Sequence, residues 1–301
     1  MMGKSNEIKF FNRRKASSMT ESVYGGDLIN FIYENSIGQK LGLLIPQRLV
    51  SRWYGLLQES SMSARKVNKF IRDFDIKIDD FILDQNGKVP YKTFNDFFTR
   101  KFKPGRRSFP EKLDEMGAFA EGRYLGYKEI SNEIVFPVKG KFLSVEKLLE
   151  NSKYANRFSN GPLLIARLCP TDYHRFHFPD DCTVVNSYKR GAKLHSVNPV
   201  ALKHKNEIFC ENERIITLLE SKNFGLLAYI EVGALCVGKI EQTYQGIEQK
   251  RGSEKGRFLF GGSTVILLGE NGKWQPSNDI MEKTHENTEV FIELGDRVAN
   301  Y

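Results

Sequence analysis

Cysteine, histidine and tryptophan are scarce in this chain of 301 residues, which has four cysteines, five histidines and two tryptophans. Cys169, Cys182, Cys210 and Cys236 lie 13, 28 and 26 residues apart, so the chain has no Cys-X-X-Cys pair. This spacing argues against a zinc site. We expect the thiols to be reduced, as they are in the cytosol.

Long apolar runs are also lacking. The longest, residues 224–238, has 15 residues and contains Glu231, whereas a membrane-spanning helix needs about 20 apolar residues. The first 15 residues are polar and have no apolar core of the kind found in a secretory signal. We therefore expect any membrane contact to be peripheral.

Basic residues are in excess, with 45 lysines and arginines against 37 acidic residues and a net charge of +8. A solvated basic surface is the ordinary interpretation of such an excess, and nucleic acid or an anionic membrane are the functional ones. Each cation held at an anionic leaflet gains about 1 kcal/mol. Several on one face would hold a protein at a membrane surface.

The spacing of apolar residues changes along the chain and predicts an α+β fold. Residues 1–25 are rich in Ser, Lys and Asn and are predicted to be disordered. Helical spacing over 26–107 predicts a helical, membrane-proximal region, in which the apolar face of 41–57 either packs inside the protein or lies in a membrane interface. Short alternating runs over 108–301 predict a β-rich domain with a largely antiparallel, barrel-like sheet.

Two glycines stand directly before a serine at Gly261-Gly262-Ser263, between apolar runs. Such a Gly-Ser bond can be cut by its own serine, because glycine permits strained backbone that exposes the carbonyl. A serine at the start of a strand is also common in ordinary turns. A serine hydrolase with Ser263 as nucleophile and His177 as base is an alternative, but the Gly-X-Ser-X-Gly elbow usual for such enzymes is missing.

Two of the five histidines, His174 and His177, share the segment 172–179 with an aspartate, a tyrosine and an arginine. An imidazole with a pKa near 6.5 suits an acid or base at neutral pH. A turn or helical loop could aim both rings into one pocket. Metal binding is the alternative; it would need a third ligand, and His195 and His204 are near in sequence.

Several segments, taken together, carry a family resemblance. They read FNDFFTRKFKPGR at 94–106, FPVKG at 136–140, DYHRFHFP at 172–179, SVNP at 196–199, NER at 212–214, VGALCVG at 232–238, and KGRFLFGGST at 255–264. In these segments, which cover roughly residues 90–270, the chain resembles the phosphatidylserine decarboxylase proenzymes, which carry a self-made pyruvoyl group. Each segment alone is weakly specific, but their joint order is highly specific.

The resemblance implies that the Ser263 hydroxyl attacks the carbonyl of Gly262 and cuts the chain. A large (β) chain of 262 residues and a small (α) chain of 39 (301 minus 262) would remain together. Ser263 would become the pyruvoyl cofactor, which forms a Schiff base with the amine of phosphatidylserine. Loss of carbon dioxide and hydrolysis would then give phosphatidylethanolamine.

The resemblance also assigns roles to three further residues. His177 is the base for self-cleavage, and His174 serves decarboxylation and protonation. Glu121 stands where the family has an aspartate that orients the base, and its extra methylene shifts the carboxylate by more than about 1 Å unless the backbone compensates. A Glu at this place keeps open an inactive, lipid-binding relative as an alternative function.

The resemblance implies partners as well as chemistry. Phosphatidylserine is the expected substrate, and an anionic membrane surface on the cytoplasmic side of the cell membrane is the expected place of work. The large and small chains of one precursor are partners of each other, and a homodimer is compatible with the sequence. No nucleic acid and no metal are expected. A pyruvoyl-dependent decarboxylase of free amino acids is a further alternative.

Overall fold

The computed structural model describes residues 8–21, 55–83, 86, 88–130, 134–136, 141–197, 208–234, 239–261 and 263–301. In these ranges the protein is mostly β-sheet with a few short helices, which agrees with the predicted α+β class. No helix in the described ranges is both long enough and apolar enough to cross a bilayer. The helices predicted between residues 26 and 54 lie outside the described residues.

Short helices lie between 55 and 98 and again between strands. The α-helices are α1 (Val67–Asp73), α2 (Phe94–Phe98), α3 (Val145–Leu149), α4 (Ser152–Phe158), α5 (Ile208–Glu211) and α6 (Asn278–His285), with 3-10 helices at Ser61–Lys66 and Ile78–Asp80 and a helical turn at 55–59. A capping box starts α2, because Thr93 and Asp96 each accept the other's backbone N–H at 3.0 Å. This cap orients a helix whose Phe94, Phe97 and Phe98 are all buried.

Strands make up most of the described chain. They are β1 (Lys9–Asn12), β2 (Ser17–Thr20), β3 (Glu115–Gly117), β4 (Gly122–Tyr127), β5 (Ile134–Phe136), β6 (Lys141–Leu143), β7 (Leu163–Leu168), β8 (Arg175–His177), β9 (Cys182–Arg190), β10 (Arg214–Ser221), β11 (Gly225–Gly233), β12 (Ile240–Gln242), β13 (Glu248–Gln249), β14 (Glu254–Phe258), β15 (Ser263–Gly269), β16 (Gln275–Pro276), β17 (Glu289–Ile292) and β18 (Arg297–Asn300). Their runs of Val, Ile, Leu and Phe suit a packed sheet.

Ten strands form one sheet in the order β13-β9-β10-β11-β15-β7-β4-β17-β1-β2. All of its described pairings are antiparallel except the parallel pair of β1 and β17. The sheet is open at β13 and β2 in the described part of the chain, so the predicted barrel-like closure is not confirmed. Smaller sheets are β12-β14-β8, β16-β18-β3 and β5-β6.

The hairpin of β1 and β2 lies inside the 1–25 segment for which the sequence predicts disorder. Its local composition is polar, and an isolated two-stranded hairpin is only marginally stable in water. Here β1 pairs with β17, more than 270 residues away in the chain. This long-range pairing orders residues 8–21, and local composition gives no sign of it.

The β12-β14-β8 sheet covers one face of the ten-stranded sheet. Phe176 of β8 lies against Tyr229 of β11, with ring centroids 6.2 Å apart, and Lys255 of β14 bonds Glu231 of β11. Because side chains two residues apart share a face of a sheet, Glu231 lies on the same face as Gly233, the residue paired with Ser263. The two sheets therefore enclose the side of β15 that carries Ser263.

Candidate active site

Ser263 is the first residue of β15, and its hydroxyl is buried. Pairing of β15 with β11 and β7 sets Ser263 opposite Gly233 and Leu168. Its Oγ has no hydrogen-bond partner among the described residues. A buried polar group left in this state costs about 1–3 kcal/mol. A serine hydroxyl becomes a good nucleophile only when a base takes its proton, and no described base is bonded to this one.

The backbone leading to Ser263 takes a conformation that glycine tolerates best. Gly261 has a φ of 143°, which strains residues that carry a Cβ. Before it, the ring of Phe260 packs on Phe98 of α2 with centroids 4.9 Å apart. Gly262, on the other side of the predicted scission bond, lies outside the described residues. The approach to the serine is thus held by α2.

His174 is fully buried beside this segment, and its ring centroid lies 3.7 Å from that of Phe98. Nδ1 lies 3.1 Å from the carbonyl oxygen of Asp172, which can only accept, so Nδ1 carries the proton. Nε2 makes no hydrogen bond of normal geometry in the described part of the chain, although the nearby Gly261 backbone favours protonation. Burial, aided by the Arg100 charge, lowers the pKa of His174 to about 3.

His177 ends β8, is partly exposed, and uses both ring nitrogens. Nδ1 lies 2.9 Å from the carbonyl oxygen of Gly252, and Nε2 lies 3.2 Å from the hydroxyl of Tyr173. The carbonyl fixes the proton on Nδ1, so Nε2 accepts from the phenol. Burial lowers the pKa of His177 against the opposing effect of Gly252. His177 therefore has the neutral tautomer that a general base needs.

Glu121 is buried just before β4, and its carboxylate is bound by Arg107. Arg107 donates from Nε at 2.7 Å and from Nη2 at 3.1 Å, and the Leu294 amide donates at 3.1 Å. Burial raises the pKa of Glu121, and Arg107 opposes this. Among the described hydrogen bonds Glu121 and His177 have different partners, so the orienting role of Glu121 stays a prediction. Burial raises the pKa of Tyr173, and the Glu121 charge adds to the rise.

Asp172 and Arg100 were given no separate role from the sequence, yet they hold the loop that carries His174. The Asp172 carboxylate accepts from the guanidinium of Arg123 and, at 2.7 Å, from the amide of Cys169. Arg100 is buried and donates to the Asp172 carbonyl oxygen at 3.0 Å. Both residues lie inside the motif segments, and this position is the sequence feature from which a role for them could be predicted.

No three histidine, cysteine, aspartate or glutamate side chains in the described ranges are grouped to hold a metal ion. His195 lies with its Nε2 3.3 Å from Glu211, an ordinary ion-pair distance. His204, the other candidate for a third ligand, lies outside the described residues. The described neighbours of His174 and His177 are backbone carbonyls, a tyrosine and aromatic rings.

The family model for phosphatidylserine decarboxylase matches residues 94–299, about two thirds of the chain. The chain belongs to the phosphatidylserine decarboxylase family. It is 38% identical over 295 residues to the phosphatidylserine decarboxylase proenzyme of Clostridium botulinum strain Langeland, covering 97% of this chain and 99% of that protein. The proenzyme of Clostridium novyi is 39% identical over 294 residues, with the same two coverages.

A third relative in this family, the phosphatidylserine decarboxylase proenzyme of Clostridium perfringens, is 38% identical over 295 residues and also covers 97% of this chain and 99% of its own length. The resemblance read from the motif segments is therefore confirmed over nearly the whole chain. Membership makes the protein a carboxy-lyase by family, as the sequence predicts.

Proposed function

We propose that this protein is a phosphatidylserine decarboxylase made as a proenzyme, which cuts itself between Gly262 and Ser263 and forms a pyruvoyl group at position 263. The buried Ser263 hydroxyl without a described partner carries this proposal. The similarity to relatives that are named phosphatidylserine decarboxylase proenzymes supports it. Scission at this bond gives chains of 262 and 39 residues.

The surroundings of Ser263 fit the group that it is proposed to become. A pyruvoyl group has a ketone and a methyl where serine has an amine and a hydroxymethyl, so it needs no more room than the serine. Its formation removes a buried hydroxyl that makes no described hydrogen bond, so no such bond is lost. When present, the group supplies an electron-accepting ketone that favours loss of carbon dioxide.

His177 acts in the self-cleavage step. Its Nε2 takes the proton of the Ser263 hydroxyl, and the oxygen attacks the carbonyl carbon of Gly262. The peptide C–N bond breaks, the released nitrogen takes the proton, and an ester links the two residues. Loss of the Cα proton of residue 263 then breaks the ester C–O bond, which leaves a Gly262 carboxylate and a dehydroalanine. Water then hydrolyses the dehydroalanine, which releases ammonia and leaves the ketone of the pyruvoyl group.

Tyr173 must release His177 for this step, because its hydroxyl occupies Nε2 in the uncut chain. Glu121 acts on the same pair from a distance, since its charge adds to the rise in the pKa of Tyr173 that burial causes. In this proposal Glu121 belongs to the site through Tyr173 and Arg107. The carboxylate then needs no direct bond to the imidazole to influence it.

His174 serves the decarboxylation step. Carbon that has lost a carboxyl group needs a proton, and Nε2 of His174 is the atom that delivers it. The low pKa keeps the resting imidazole neutral with Nε2 unprotonated, so Nε2 must first take up a proton, which the ammonium group of the substrate can supply. The imidazolium formed in this way is a strong acid and transfers the proton readily. Phe98 covers the ring, which is fully buried. Asp172 keeps Nδ1 as the donor and so keeps Nε2 turned to the reaction.

We also propose that the protein works as a peripheral protein on the cytoplasmic side of a cell membrane. Leu56, Leu57 and Met62 are 54%, 60% and 71% exposed, which is unusual for apolar side chains so close in sequence. Arg65 and Lys66 follow within the next turn. Apolar side chains beside cations suit the interface of an anionic bilayer. Residues 55–66, which belong to the region that the sequence predicts to be membrane-proximal, would then face the lipid.

Intact mass and a decarboxylation assay test the function together. Purified protein should give two chains of 262 and 39 residues, the small one blocked at its amino terminus, and should release carbon dioxide from phosphatidylserine vesicles. An uncut chain that hydrolyses esters would favour the serine hydrolase. An uncut chain that only binds vesicles would favour the inactive relative. A cut chain that accepts only free amino acids would favour the other pyruvoyl-dependent class.

A further inference from the structure

We propose that residues 8–21 form an N-terminal clasp that keeps the small chain, residues 263–301, bound after self-cleavage. The proposal rests on the proposed scission before Ser263, which removes the covalent link between the small chain and the rest. Three sets of contacts carry it. These are the pairing of one strand, two arginine side chains that grip the small chain, and a buried carboxylate that anchors the clasp to the large chain.

The strand contact joins the clasp to the middle of the small chain. β1 pairs in parallel with β17, with Phe10 opposite Glu289 and Asn12 opposite Phe291. Phe10 is 5% exposed, and its ring centroid lies 6.2 Å from that of Phe291. The amide of Arg13 continues the pairing and donates to the Phe291 carbonyl at 3.3 Å. Without β1, strand β17 would present an unpaired edge.

Two arginines of the clasp form hydrogen bonds with other elements of the small chain. Arg13 donates to both carboxylate oxygens of Asp279 at 2.7 and 2.9 Å, and to the carbonyl of Arg297 at 2.5 Å. Arg14 donates to both oxygens of Asp296 at 3.1 and 2.7 Å. Bidentate pairs of this kind are the stronger and more directional ion pairs. All of these acceptors lie in residues 263–301.

The other end of the clasp, which is itself part of the large chain, is fixed to two other large-chain strands, β4 and β7. The Glu21 carboxylate accepts from Arg167 of β7 at 2.7 and 3.2 Å and lies 2.9 Å from Arg123 of β4. Burial alone would raise the pKa of Glu21, but the two guanidinium groups lower it to about 2. Arg167 also donates to Glu289 of β17 at 2.8 Å. One buried cation thus joins the clasp, the large chain and the small chain.

Scission changes what these contacts must do. In the uncut chain the peptide bond before Ser263 keeps the small segment at an effective concentration of the order of millimolar, whatever its contacts. In the cut protein, non-covalent contacts alone retain it. Strand β15 is paired on both sides by large-chain strands, β17 pairs with β4, and β18 pairs with β3. The clasp adds a further contact on the other edge of β17. Loss of the clasp contacts should therefore destabilise the cut protein more than the uncut protein.

The test compares the double variant Arg13→Ala/Arg14→Ala with the matched control Arg190→Ala/Lys250→Ala, whose cations pair with carboxylates inside the large chain. After mass spectrometry shows complete scission, each protein is diluted, and small-chain release is followed by size-exclusion chromatography. We expect release to be about tenfold faster in the clasp variant, equivalent to about 1.4 kcal/mol. The control should release at the wild-type rate.

The uncut reference carries the same substitutions in a Ser263→Ala background, and urea unfolding is measured for both forms. The proposal would be overturned if the clasp variant released the small chain at the wild-type rate. It would also be overturned if the two arginine substitutions lowered the free energy of unfolding equally in the cut and the uncut protein. Asp279→Asn removes the same grip from the other side if the double variant does not fold. Arg13→Asp combined with Asp279→Arg should restore retention. A wild-type chain that never cuts contradicts the proposed function and leaves no small chain to retain.

Discussion

The Nδ1 atom of His174 lies 3.1 Å from the carbonyl oxygen of Asp172, and this contact leaves Nε2 as the nitrogen that can act. His177 has the same tautomer for the same reason, through the carbonyl of Gly252. The two rings differ in their surroundings. Nε2 of His174 is buried without a normal hydrogen bond, whereas Nε2 of His177 accepts from Tyr173. Two neutral imidazoles with different access are suited to two different proton transfers.

The first prediction separates the two histidines. His174→Ala should leave self-cleavage largely intact and lower decarboxylation by about 10²- to 10⁴-fold, the usual contribution of a positioned acid or base. His177→Ala should stop or strongly slow the cut. The exposed His285 provides the control His285→Ala, which should change neither. Gel analysis gives scission, and carbon dioxide release gives turnover. Equal loss of both activities in both variants would show that the division of roles is wrong.

The second prediction concerns acid stability. The pKa of His174 falls from its ordinary 6.5 to about 3 in the folded protein, mainly through burial, so the unfolded chain binds more protons between these values. Its contribution to stability is present above about pH 6.5 and is lost as the pH falls towards 3, at up to about 1.4 kcal/mol per pH unit. His174→Gln should flatten this slope.

This slope is measured as the urea unfolding free energy between pH 4 and 7, in a Ser263→Ala background that keeps the chain whole. The pKa of His177 is also lowered, so some slope of the same sign should remain after His174 is replaced. The exposed His285 supplies the control variant His285→Gln, which replaces a histidine but keeps His174. An unchanged slope in His174→Gln would mean that this ring is not held neutral by the fold.

The sequence names candidate residues for the site more readily than it predicts their neighbours. Ser263 and the two histidines lie in short motifs, which are enough to single them out, and their roles stay predictions. Glu121 is different, because its partner Arg107 lies 14 residues away and competes for the carboxylate. The same limit explains the N-terminal clasp, where long-range pairing with β17 overrides a polar composition. Local patterns report residue types and strand periods, whereas partners distant in sequence decide contacts.

The third prediction tests Glu121. Glu121→Gln keeps the size of the side chain and removes the charge that acts on Tyr173 and pairs with Arg107. We expect self-cleavage to slow by about ten- to a hundredfold, the cost of a misplaced or missing orienting group. Arg107→Met is the companion variant, since it removes the cation but keeps the carboxylate. The time course of cutting is followed by gel after synthesis. Wild-type kinetics in Glu121→Gln would remove Glu121 from the site.

The fourth prediction concerns the buried pair of Lys255 and Glu231, whose side chains are both fully buried. Lys255 donates to Glu231 at 2.5 Å, to Thr217 at 2.9 Å and to Gln242 at 2.8 Å, so all three ammonium hydrogens are used. Breaking such a pair from one side leaves an uncompensated buried charge and costs about 3–5 kcal/mol. Lys255→Met should lower the free energy of unfolding by this amount.

Adding Glu231→Gln to Lys255→Met should recover part of the loss, because the second change removes the stranded carboxylate. The four proteins of this double-mutant cycle are compared by urea unfolding in the uncut Ser263→Ala background. Additive losses would mean that the two groups do not interact across the sheets. Coupling would show that β14 and β11, which enclose the Ser263 side of β15, are joined through this pair.

The last prediction concerns the membrane surface. Leu56→Ser combined with Leu57→Ser removes two apolar side chains that are 54% and 60% exposed, and should weaken binding to phosphatidylserine-containing vesicles by about tenfold or more. Leu113→Ser is the matched control, because Leu113 is 58% exposed but lies in the β-rich part of the chain. Vesicle sedimentation gives the affinity, and decarboxylation of a short-chain, dispersed substrate should stay at the wild-type rate. If Leu113→Ser weakened vesicle binding equally, the lipid contact would lie elsewhere. If only the Leu56 and Leu57 substitutions weakened binding, and vesicle binding also fell at high salt, these leucines would share one interface with Arg65 and Lys66.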